Sequence, residues 1–115
     1  MALKRCLLEL GMGVDLHGKD PTKAARRAVS DALRHSSISF PRVFGHSTST
    51  MFVEVNIAVP YHDRVVESDV LLEVPYGTRS IKVIEGGLEI PSGSGSDDSA
   101  IVANAAIVVS LDVQD

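Results

Sequence analysis

The residues best suited to chemistry lie close together near the start of the chain, in Gly11-Met12-Gly13-Val14-Asp15-Leu16-His17-Gly18-Lys19-Asp20-Pro21, which combines three glycines, two carboxylates and a histidine. Asp15 and His17 are two positions apart, so in an extended segment their side chains project to the same side. A carboxylate in that position can orient an imidazole, with His17 as the acid or base and Asp15 holding it. The same pair offers two ligands to a divalent metal, but a metal site needs three or more and only two are clustered here. Asp20 and Pro21 have the form of an N-cap and a first-turn proline, which starts a helix at Thr22. Backbone N–H groups at Gly11, Gly13 and Gly18, the helix N-terminus, and the charges of Lys19, Lys23 and Arg27 favour an anionic ligand there. Asp15 and Asp20 oppose it unless Asp20 turns inward as a cap and Asp15 is paired.

A plainer alternative stands beside this one: the glycines make a tight turn, Asp20 caps the helix and His17 bonds a backbone carbonyl. Two phosphate-binding motifs are excluded. A dinucleotide fingerprint needs a third glycine where Leu16 stands, and a P-loop needs Ser or Thr where Asp20 stands.

The pattern Gly11, Gly13, Asp15, His17, Gly18, followed by Asp20, Thr22, Lys23, Ala24, Ala25, Arg27 and Ala28, resembles the conserved-hypothetical family of bacterial and plant proteins with an N-terminal GxGxDxHG signature. The similarity extends through Val74-Pro75-Tyr76-Gly77, Glu85-Gly86-Gly87-Leu88 and Ala103-Asn104-Ala105-Ala106, with Ser36-Ser37 departing from the pattern. The resemblance supports the fold and the site and supplies no reaction.

Elements that would position these residues follow from periodicity. Residues 3 to 10 read as a strand with Cys6, Leu8 and Leu10 on one face and Leu7 and Glu9 on the other. Residues 21 to 35 read as a helix whose Ala24, Ala25, Ala28, Val29, Ala32 and Leu33 form a flat apolar stripe. Residues 36 to 50 form a Ser/Thr/Gly/Pro loop containing His46, and His35 serves the dipole at the end of the helix. Residues 51 to 59 alternate as a half-buried strand. Val65 to Val74 fit either period and are taken as a short helix ending at Pro75-Tyr76-Gly77. Residues 79 to 85 and 87 to 91 read as strands broken at Gly86-Gly87, Pro91 to Ser99 as a disordered loop, and residues 100 to 113 as a last strand. The order predicts a single α+β domain over residues 1–115, with a mixed, mainly antiparallel sheet and two helices on one face.

On the other face Glu9, Glu54, Asn56 and Asn104 are expected together. Asn104 interrupts an apolar run, where an unpaired amide would cost on the order of 1 to 3 kcal/mol, so a partner is expected, such as a ligand or a second subunit.

The chain has 115 residues, a net charge of -4 and only 4% aromatics. No basic tract speaks for nucleic acid, and no long apolar run or signal-peptide pattern speaks for a membrane. Cys6 is the one cysteine, expected to be a buried small hydrophobe, and its solitude suits a reducing cytoplasm. Two functions remain open. One is a small-molecule enzyme acting on an anionic metabolite by acid–base or metal-assisted hydrolysis, isomerisation or lyase chemistry. The other is a noncatalytic homo-oligomeric ligand-binding protein using the same loop.

Overall fold

Alternating aliphatic residues set the architecture. The computed structural model describes residues 3–34, 51–93, 95 and 97–112. Its elements are β1 (Leu3–Asp15), α1 (Pro21–Arg34), β2 (Met51–Val59), a 3-10 turn (His62–Arg64), α2 (Glu67–Leu71), β3 (Thr78–Glu85), β4 (Leu88–Pro91) and β5 (Ser99–Asp112). β5 is the central strand. It pairs antiparallel with β1 on one side and with β2 and then β4 on the other, while β3 runs parallel to β2. The fold is therefore α+β, a mixed and mostly antiparallel sheet with two helices.

Met51, Val53, Val55, Ile57 and Val59 of β2 and Ile101, Ala103, Ala105, Ile107, Val109 and Leu111 of β5 are buried beneath the helices, as their period of two requires. Each of the larger ones contributes roughly 1.5 to 3 kcal/mol by leaving water. Ala24, Ala25, Ala28, Val29 and Ala32 of α1 are fully buried against them. The segment from Val65 to Val74 is helical only over α2, with Val70 and Val74 in the core. It ends early because a residue before proline, here Val74, disfavours the helical region. Thr22 Oγ1 accepts the Val66 N–H at 2.9 Å and ties α2 to the start of α1.

β1 departs from expectation. It continues past residue 10 to Asp15, so Gly11 and Gly13 lie in a strand and not in a loop. Cβ atoms there would overlap the α1 backbone at Ala28 and Ala32, and at Ala24 and Ala28. These glycines let the helix lie directly on the strand. The same packing reverses the faces of β1: Glu9 shares the helix side with Gly11 and Gly13, while Leu8, Leu10 and Met12 are exposed on the open side. A register shift between Arg5 and Leu7 leaves Cys6 half-buried, its Sγ 3.3 Å from the Lys4 carbonyl oxygen.

α1 also covers the outer edge of β1. Asp31 accepts the Met12 N–H at 2.9 Å and Arg27 donates to the Val14 carbonyl at 2.6 Å, which removes two groups on which another strand could pair. Gly87, in the left-handed region at φ 68°, turns the chain from β3 toward β5. The loop expected over residues 36 to 50, with His46, and His35 at the helix end lie outside the described residues.

Candidate functional site

The C-terminal ends of β1, β2 and β3 and the N-terminal end of β5 fall at one end of the sheet. Asp15 stands there at the last position of β1 and is only 3% exposed. Its Oδ2 accepts the Asp20 N–H at 2.9 Å, and its Oδ1 lies 3.8 Å from both Lys23 Nζ and Arg27 Nη1. Asp20 caps α1 as its position predicts, its Oδ1 taking the N–H of Thr22 at 3.0 Å and of Lys23 at 3.2 Å. Those two helix amides are thereby closed to an anion. Between the two aspartates the chain turns through Gly18 at φ 97° and Lys19 at φ 50°, both in the left-handed region.

His17 does not pair with Asp15. Its ring Nδ1 lies 3.0 Å from Oδ2 of Asp98, a residue 81 positions away at the mouth of β5. The reason is directional: the Asp15 carboxylate turns inward toward the Asp20 amide, while the His17 side chain is 83% exposed. Asp98 is itself fixed by the N–H groups of Gly18 at 3.0 Å and Ser99 at 2.9 Å. The Gly18 amide and then the His17 ring hold its carboxyl below the usual aspartate range. The loop expected to be disordered is closed at its ends by Ser92 N–H donating to the Asp98 carbonyl at 3.2 Å.

Beside this pair sit Tyr61 and Glu89, which sequence reasoning passed over, and His62, which it noted only as a loop histidine able to complete a site across an interface. Tyr61 adopts φ 61°, uncommon for a bulky side chain, and its hydroxyl reaches Glu89 at 2.7 and 2.9 Å. The Tyr61 hydroxyl and then the Ser99 hydroxyl lower the Glu89 pKa. His62 Nδ1 lies 2.8 Å from Glu85 Oε1, and that contact holds Glu85 low as well.

On the helical side, a cleft of about 590 Å³ separates α1 from the segment running from the 3-10 turn through α2. Lys23, Arg26, Arg27 and Arg64 line it, facing Asp20, Asp69 and Glu73. Arg26 is matched by Glu73 at 2.8 Å, and Asp20 is occupied with the helix amides. Lys23 and Arg27 share the single carboxylate of Asp15. The Arg64 guanidinium stacks over the Tyr61 ring at 5.2 Å. Counted in full, Lys23, Arg26, Arg27 and Arg64 stand against Asp15, Asp20, Asp69 and Glu73, so the cleft is formally neutral.

Residues 5–109 match the family described as "Conserved hypothetical protein (Lin0512_fam)". The chain belongs to that family. Among solved structures, an FtsZ-like protein of unknown function from Nostoc punctiforme PCC 73102 is similar, with a TM-score of 0.84 and 39% identity over 97% of this chain and 98% of that one. No curated protein matches the chain.

In this member of the Lin0512 family, the expected site residues separate into four groups. Gly11 and Gly13 face the α1 backbone, so neither glycine edge is open to a ligand on that side. Asp15, Lys23 and Arg27 come together at the cleft, whereas His17, Gly18 and Lys19 form the turn that meets Asp98. Asn104 lies apart on the helix-free face, exposed in a depression of about 260 Å³ with Leu10, Asn56, Ala58, Lys82 and Ile84. There its amide meets water, and the burial cost that called for a partner does not arise within one chain. Asn56 bonds the Ala106 carbonyl at 3.2 Å and Glu54 at 3.3 Å. Among the described residues no group of three or more His, Cys, Asp or Glu is arranged to hold a metal ion, and no helix is long and apolar enough to cross a membrane.

Proposed function

We propose that this protein binds a small anionic metabolite in the cleft between α1 and the segment from the 3-10 turn through α2. The observation that carries this reading is that Lys23, Arg26, Arg27 and Arg64 line one cleft in a chain whose net charge is -4. A neutral cleft presenting four cationic side chains is more favourable to an anion than the acidic surface of the chain as a whole. Lys23 and Arg27, each about half exposed, lean on one buried carboxylate, so their remaining N–H groups are available to a ligand. Asp69, on the facing wall formed by α2, supplies an acceptor. The preferred ligand therefore carries one anionic group, a carboxylate or phosphate, and a hydrogen-bond donor. The test is thermal unfolding with inorganic phosphate, sulfate, citrate and succinate added separately. A rise in melting temperature that Arg64→Ala and Lys23→Ala each reduce supports the reading, and no rise with any of the four refutes it.

A second reading, an enzyme, is favoured by the His17–Asp98 pair. Asp98 holds Nδ1, which leaves Nε2 directed to solvent in the arrangement of a general acid or base. His17→Asn would then abolish turnover while leaving anion binding intact.

A further inference from the structure

The helix-free face of the sheet is built as a docking surface, and we infer that a second copy of this chain occupies it. Registered pairs place Leu8 beside Val108, Leu10 beside Ala106, Met12 beside Asn104 and Leu88 beside Val102, all on this face. Leu8, Leu10, Met12, Ile84, Leu88 and Ile90 are 50 to 64% exposed. At roughly 100 Å² each they offer on the order of 600 Å² of apolar surface, at the upper limit of the largest patch on an ordinary monomer. With the smaller residues between them, the face approaches the roughly 800 Å² that each partner contributes to a stable interface.

Shape and charge both select a like chain as the occupant. Leu8, Leu10 and Met12 stand as a ridge along β1. Farther across the same face, Ala58, Ala106 and Asn104 line the depression of about 260 Å³, rimmed by Leu10 and Ile84. A twofold axis sets the ridge of each copy into the depression of the other, the self-complementarity that an isologous interface requires. Near that depression the charged residues are Glu54, whose Cα pairs with Ser80, and Lys82, whose Cα pairs with Asn56. Their signs are opposite. Two copies of a chain with net charge -4 thus meet through a locally balanced surface, with Lys82 of one copy facing Glu54 of the other. Asn56 and Asn104 then supply hydrogen bonds at the centre.

Light scattering after size exclusion at 50 micromolar tests this. The wild-type protein should show a mass of at least two 12.3 kDa chains. Leu10→Glu and, independently, Ile84→Glu should each weaken association at least tenfold and yield the monomer, with unchanged far-ultraviolet circular dichroism. Leu72→Glu, at an exposed position just past the end of α2 and away from this face, should leave the mass unaltered. A monomeric wild-type protein overturns the inference. So does an assembly that both face variants leave intact.

Discussion

The position that a Cβ on Gly13 would take is filled by the carbonyl oxygen of Ala24. That relationship fixes how far α1 stands from β1, and with it the place of Lys23 and Arg27 over Asp15. Gly13→Ala should cost at least about 3 kcal/mol, because a helix backbone, unlike a side chain, cannot rotate aside. Urea unfolding gives the value. Leu16→Ala, exposed in the following turn, should stay within about 0.5 kcal/mol of wild type.

Asp15→Ala should destabilise the fold by about 2 kcal/mol, since it strands the Asp20 amide and leaves Lys23 and Arg27 without their shared counter-charge. Asp15→Asn keeps an acceptor for the amide and should lose less. Denaturant midpoints of the two variants check the order, and an Asp15→Ala variant as stable as wild type would contradict the structural role.

His17→Ala should leave stability within about 0.5 kcal/mol of wild type, because the side chain is almost wholly in water. Thermal melts of the variant check it.

Asp98, Glu85 and Glu89 have folded-state pKa values below their ordinary values of 3.8 and 4.5. Their contribution to stability is therefore complete above those values and is lost as pH falls through the lower folded-state values. Asp98→Asn removes its share at neutral pH and nothing once the carboxyl is protonated. The difference in melting temperature between wild type and Asp98→Asn should accordingly be largest near pH 7 and shrink toward pH 3. A difference independent of pH would contradict the assignment.

The strands β2 and β5 and the helix α1 were legible because each shows one unbroken period. The glycines of β1 were not. Sequence shows that a Cβ is missing at Gly11 and Gly13 but not what fills the space, and a helix backbone there looks the same as a ligand loop. Leu8 and Leu10 alternate as a buried row would, yet the helix settled on the other side of β1, where the glycines permit close approach. Asp15 and His17 were found as notable residues and mispaired, because the true partner of His17 arrives from 81 positions away through the antiparallel register of β1 with β5. Arg64 carried no local signal. It reaches the cleft only because the 3-10 turn brings it over Tyr61.

Nuclear magnetic resonance titration of the labelled protein with citrate and with inorganic phosphate tests the anion cleft most directly. Saturable shifts of the Thr22, Lys23, Arg26, Arg64 and Val66 amides are expected, with those of Leu10 and Asn104 on the opposite face unmoved. Shifts confined to residues outside the cleft, or none at millimolar anion, would contradict it.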